Sequence, residues 1–153
     1  MRAVLTTLLG LLLAGCRGEG AEGFPPPGVL DLAAVAHGGG SNSALAAPAG
    51  FHPAPDIVTR RYAVPPARLF AAIREAAEAQ PRVFPHAAQP ERMQAHYVAR
   101  SAVFNFPDLV TVQVNPDSTL VIWSRSVYGR SDFGVNARRV RLWLAALDTR
   151  LAD

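Results

Sequence analysis

The stretch DLVTVQVNPDSTLVIWSRSV, residues 108–127, decides how this chain folds. Val110, Val112 and Val114 alternate with Thr111 and Gln113, the two-residue period of a strand with one buried face. Asn115-Pro116-Asp117-Ser118 interrupts the run at hairpin spacing, and a second strand follows from Thr119 to Val127. Upstream, Met93 to Ser101 reads as a third strand. Downstream, Val140, Trp143, Leu144, Leu147 and Leu151 share one helical stripe, with Arg138, Arg139, Arg141, Asp148 and Arg150 mostly off it, so an amphipathic helix closes the chain. Further back, Pro66 suits the first turn of another helix, Leu69, Ile73 and Ala76 recur along it, and Gln80-Pro81 ends it. Ile57 to Tyr62 precedes that helix as a strand. The order β-α-β-β-β-α, with strands grouped in hairpins, predicts the α+β class: a small antiparallel sheet with two helices packed on one face.

At 153 residues the chain has room for one compact domain with extensions. The domain is expected over residues 56–153. Before it, residues 31–55 are rich in Ala, Gly and Pro and read as an irregular arm laid on the domain. Residues 16–30, which include Phe24-Pro25-Pro26-Pro27, read as an extended tether. No repeat at a fixed period occurs.

Composition removes several classes of chemistry. All 15 basic residues are Arg, and without Lys there is no Schiff base, no lysine general base and no phosphate loop ending in Gly-Lys. The formal net charge is +3, and cleavage before Cys16 removes Arg2, leaving 14 arginines against 12 acids. So even a balance gives no reason to expect a nucleic-acid partner. With Cys16 as the one cysteine, the domain has no internal disulfide and no thiolate metal site. His37, His52, His86 and His96 are scattered, with no pair four residues apart, and no metal or other cofactor is expected.

The first sixteen residues carry a single charge at Arg2, then an apolar run from Ala3 to Ala14, then Gly15 and Cys16. The run is shorter than the roughly 20 residues a membrane-spanning helix needs, so residues 1–15 read as a signal peptide. Leu13-Ala14-Gly15-Cys16 is similar to the bacterial lipoprotein box, in which the cysteine thiol takes diacylglycerol before cleavage. That resemblance implies a membrane-anchored protein of the bacterial cell envelope, lipidated on Cys16 and facing the periplasm. Arg17 stands where aspartate usually retains lipoproteins in an inner membrane, so an outer-membrane location is the expectation.

The segment WSRSVYGRSDFGVN, residues 123–136, joins the last strand to the last helix and is the richest in polar groups. Ser131 or Asp132 suits the helix N-cap, and Gly129 and Gly134 permit backbone angles a side chain would block. In the structural reading Arg125 pairs with Asp132 or Asp108, Tyr128 packs its ring, and Asn136 bonds to backbone. Arg138 and Arg139, however, fall near the helix start, where the macrodipole disfavours cations. A second reading therefore gives Arg125, Tyr128, Arg130, Ser131, Asp132, Asn136, Arg138 and Arg139 to an anionic ligand. With Phe106-Pro107-Asp108-Leu109-Val110 and the helix that follows, the Ser-Arg-Ser, Tyr-Gly and Ser-Asp-x-Gly-Val-Asn pieces resemble the family known as domain of unknown function 1499. The similarity runs from about Asp31 to the C-terminus. Many relatives carry a cysteine where this chain has Asn42-Ser43-Ala44-Leu45, so no role of that thiol applies here. The resemblance implies a fold and no established activity.

No catalytic residue is assigned. His96 with Arg125 and Asp132 offers an enzyme reading only if the three side chains converge within hydrogen-bond reach, and no Gly-x-Ser-x-Gly elbow is present. The main expectation is a binding or assembly module with an Arg-rich strand-to-helix turn, its partner an envelope protein or a small anionic ligand. The alternative is a carrier of a hydrophobic or anionic ligand with a pocket lined by Phe104, Phe106 and Trp143.

Overall fold

The structure, a computed structural model, describes residues 18–35 and 41–152. Cys16, the leader, His37 and the glycines at 38–40 lie outside the described residues. Six strands form one sheet: β1 Ser43–Pro48, β2 Ile57–Thr59, β3 Val83–Gln89, β4 Gln94–Arg100, β5 Pro107–Val114 and β6 Leu120–Ser126, in the spatial order β2-β1-β6-β5-β4-β3. Among the described residues three α-helices accompany it: the short α1 Leu32–Val35, α2 Pro66–Glu78 and α3 Val135–Ala152. The protein is α+β, as the sequence predicts.

The hairpin read from residues 108–127 is the centre of the sheet. Val110 stands opposite Ser124, Val112 opposite Ile122 and Val114 opposite Leu120. Ser118 takes a left-handed φ of 61° to close the turn, and its N–H donates to Asn115 O at 3.0 Å. The valine face meets α2 and α3. Pro66 opens α2, which buries Leu69, Phe70, Ile73, Ala76 and Ala77; α3 buries Val140, Trp143 and Leu147. Trp143 meets Tyr97 of β4 edge-on, with centroids 5.5 Å apart. Desolvation holds the Tyr97 hydroxyl in its neutral form well above the ordinary tyrosine range. These side chains make one continuous apolar core between the helices and one face of the sheet.

Four expectations need correction. The sheet is mixed: β1 runs parallel to β2 and antiparallel to β6. The expected arm at 31–55 contributes α1 and the strand β1, whose residues Ala44 to Ala47 are all buried. An alanine-rich run has no hydrophobic period, and its extended form comes from the strands on either side. The expected order also lacks β3, an edge strand interrupted by Pro85 and by a bulge between Pro85 and Ala87. Proline and the bulge erase the alternation that would mark it.

The tether departs most from its reading. Residues 18–30 form a strap across the face of the sheet turned away from α2 and α3, held by side chains that bond to its backbone. Arg100 Nε donates to Gly20 O at 2.8 Å and Asn105 Nδ2 to Gly18 O at 3.0 Å. His86 Nε2 meets Pro25 O at 3.0 Å, and Gln89 Nε2 donates to Pro27 O at 2.9 Å. Gln94 clamps Leu30 twice: its Oε1 accepts from Leu30 N at 2.7 Å and its Nε2 donates to Leu30 O at 2.8 Å.

Candidate functional site

Two polar regions flank the last two strands, one on each side of the sheet. On the helix side, the strand-to-helix turn is a closed hydrogen-bond network. Asp132 Oδ1 accepts from Gly134 N at 2.9 Å and Oδ2 from Asn136 N at 2.8 Å, so both carboxylate oxygens cap the start of α3. Partial burial alone would raise the Asp132 pKa, but the bonds from Asn136 and Gly134 hold it below the ordinary range. Asn136 is fully buried; it accepts from Ser124 Oγ at 2.6 Å and donates to Asn42 O and Ser126 Oγ, each at 3.0 Å. Arg139 Nη1 donates to Asn136 Oδ1 at 2.7 Å and to Ser124 Oγ at 2.9 Å, while Nη2 pairs with Asp108 Oδ2 at 2.6 Å. Arg139 is thus the partner of Asp108, the position the sequence offers to Arg125.

The remaining turn residues lie at the surface. Ser131 Oγ accepts from Phe133 N at 3.4 Å, the Arg130 carbonyl accepts from Ser41 Oγ, and the Tyr128 ring lies 6.4 Å from Phe106. The side chains of Arg130 and Arg138 form no ion pair among the described residues. Of the eight residues read as one anion site, Asp132, Asn136 and Arg139 are joined in the network, and Arg125 leaves the group altogether.

Arg125 projects from the opposite face of the sheet, over the ring of Trp123 at 5.1 Å from its centroid. There, beneath the Phe24–Pro27 part of the strap, lies a cleft of about 320 Å³. Leu109, Thr111 and Trp123 form its floor, Phe24 and Pro26 its roof, and Arg125 and the two histidines His86 and His96 bring polar groups to it. The strand period places all of this: residues 121, 123 and 125 of β6 point away from the helices because 120, 122 and 124 point toward them. The expected lining was different. Trp143 belongs to the core, and Phe104 and Phe106 are exposed on a loop.

His96 is fixed in this cleft by its neighbours. Because Gln89 Nε2 donates to Pro27 O, its Oε1 faces His96 Nε2 at 3.1 Å and requires a proton there; His96 Nδ1 then accepts from Thr111 Oγ1 at 3.0 Å. Burial pushes the imidazole pKa down to about 4, and His86 adds to the shift. Both ring nitrogens are occupied, and Asp132 is spent on capping α3 behind the sheet. His96 and Arg125 share the cleft, but Asp132 does not join them. Among the described residues, no group of three or more His, Cys, Asp or Glu side chains could hold a metal ion.

Residues 26–147 match the family model described as protein of unknown function (DUF1499). The chain belongs to the DUF1499 family. The DUF1499 match opens at Pro26, inside the strap, and so includes nearly every element around the cleft as well as the α3 network. No curated protein matches the chain. It is similar to the X-ray crystal structure of a structural-genomics target protein from Mesorhizobium loti, with 15% identity and a TM-score of 0.47 over 72% of this chain and 96% of that one. At that level the likeness carries no functional argument.

Proposed function

We propose that this DUF1499 protein is a lipid-anchored protein of the bacterial cell envelope that binds an amphipathic ligand beneath the strap. The ligand has an apolar body and an anionic group. The observation that carries the reading is the cleft of about 320 Å³, at the lower end of the range for small-ligand sites. Its floor is apolar and aromatic, and the Arg125 guanidinium has no carboxylate partner among the described residues. A cation stacked on an aromatic ring at the edge of an apolar cleft suits a carboxylate or phosphate on a hydrophobic body. The Arg-rich turn supports the reading less: its carboxylate caps the helix and Arg139 is matched by Asp108.

The test is thermal stability of the mature chain carrying Cys16→Ser, titrated with long-chain fatty acids, anionic lysolipids, nucleotides and peptidoglycan fragments. Ligand at a hundredfold excess over its dissociation constant stabilises the folded state by about 2.7 kcal/mol. The expected result is a rise in Tm with one anionic amphiphile that Arg125→Ala weakens and Leu109→Trp, which fills the cleft, abolishes. No rise with any class overturns the carrier reading. The anchor has its own test: Cys16→Ser is expected to abolish incorporation of labelled fatty acid in cells.

A further inference from the structure

Among the described residues ten large apolar side chains are exposed, and six of them cluster. Val103, Phe104 and Phe106 lie on the loop from β4 to β5, Tyr128 and Phe133 on the connection from β6 to α3, and Val135 opens α3. A hydrogen bond from Val127 N to Pro107 O ties the two loops together. All six are therefore at the end of the sheet where β4 and β6 finish. Phe104 and Phe106 touch, with centroids 5.6 Å apart, and Tyr128 extends the row. Phe133 is 91% exposed and holds a φ of 51°, a left-handed conformation uncommon for a bulky residue. Aromatic side chains grouped in water mark a surface that is covered in use.

The same end of the fold receives the chain's N-terminal segment. Gly18 O is bonded by Asn105, the residue between Phe104 and Phe106, and Gly20 O by Arg100 at the end of β4. Cys16 stands two residues before Gly18, and two residues span at most about 7 Å. The described chain therefore begins beside the aromatic loops. The rim is basic. Arg82 and Arg138 line a shallow groove with Val135, and Arg130 lies between Tyr128 and Phe133. Of the acids at this end, Asp108 is paired with Arg139 and Asp132 is spent on the α3 cap, while Glu19 and Glu22 stand exposed on the strap, so the three arginines exceed the exposed carboxylates by one. An aromatic tip bordered by arginines is the composition of a surface that enters the headgroup region of a bilayer.

We infer that the loop tips around Phe104, Phe106, Tyr128 and Phe133 form a second membrane contact, seated in the lipid surface to which Cys16 is anchored. The inference rests on the anchor reading. It also gives the cations at the start of α3 an anionic partner, since Arg138 and Arg130 face phospholipid headgroups.

The test uses the full chain, purified and reconstituted in phosphatidylethanolamine and phosphatidylglycerol vesicles whose acyl chains are brominated near the headgroup. Tryptophan emission of Phe104→Trp is compared with that of Val58→Trp, an exposed position on β2 at the sheet's edge, each against the unchanged protein as background. The expected result is several-fold stronger quenching at 104 than at 58. Equal quenching, or none at 104 in vesicle-bound protein, overturns the second contact and leaves the anchor standing. The anchor reading is judged separately, by the mass of the mature chain beside Cys16→Ser. Absence of acyl groups sinks it while quenching still decides the loops, and a chain that does not stay with the vesicles overturns the contact.

Discussion

The two faces of the sheet are held by different physics. On one, Val110, Val112, Ile122 and Tyr97 meet α2 and α3 in an apolar core, sealed at one end by the Asp108–Arg139–Asn136 network. On the other, Gln94, Arg100, His86 and Gln89 bond to carbonyls and an N–H group of the strap, beside a small apolar cluster of Leu32, Leu45, Ala47 and Val121 against which Leu30 packs. The first face gains by removing apolar area from water. The second gains by satisfying polar groups one bond at a time, a net contribution of about 1 kcal/mol each. The first is expected to unfold as one unit and the second to open separately, as a site with a removable cover requires.

The largest expected effect falls on the helix face. Asp108→Ala strands the Arg139 guanidinium, whose side chain is only 13% exposed, and is expected to cost about 3–5 kcal/mol in denaturant unfolding. Recovery of most of that loss by Asp108→Leu with Arg139→Met would sharpen the contrast, because it would show that the cost is the unpaired charge. Next is Gln94→Ala on the strap face, which leaves Leu30 N–H and C=O without their partner and is expected to cost about 1–3 kcal/mol. Limited proteolysis should then cut within residues 18–30 while α3 stays protected. If global unfolding and strap cleavage move together, the faces are one unit and the comparison fails.

A smaller effect depends on pH. His96 titrates near 6.5 in the unfolded chain and near 4 when folded, so between those values the unfolded chain takes up a proton that the folded chain refuses. Stability that is complete above pH 6.5 is lost as the pH falls toward 4, and His96→Gln is expected to flatten that part of the profile, read as denaturation midpoints from pH 7 to pH 4. The smallest change is Arg138→Ala. Removing an exposed cation from the first turn of α3 should raise stability by about 0.3–1 kcal/mol, measured in the Cys16→Ser chain without vesicles.

What the sequence disclosed follows the same division. The helix face was legible because Val110, Val112 and Val114 keep a strand period and Val140, Trp143 and Leu147 a helical one. Asp132 was legible as a cap because capping is local. The pairing of Asp108 with Arg139 rather than Arg125 was not, since it depends on which face of β6 each side chain takes relative to α3. The strap was hidden for a different reason: Pro25, Pro27 and Leu30 engage through backbone atoms, which no residue type advertises. β1 was hidden because alanines between two strands need no pattern of their own, and the true lining of the cleft was hidden with the strap, whose Phe24 to Pro27 and Leu30 border it.

The place of β1 has a consequence in time. Ser43 to Ala46 pair with Ile122 to Arg125, partners roughly eighty residues further along the chain, and β2 then pairs with β1. An alanine strand has little reason to be extended before its template exists. The local hairpin of β5 and β6 is therefore expected to form before the N-terminal third of the described chain condenses onto it. Long-range pairing of this kind slows folding, so the first strand in the sequence is among the last to find its neighbours.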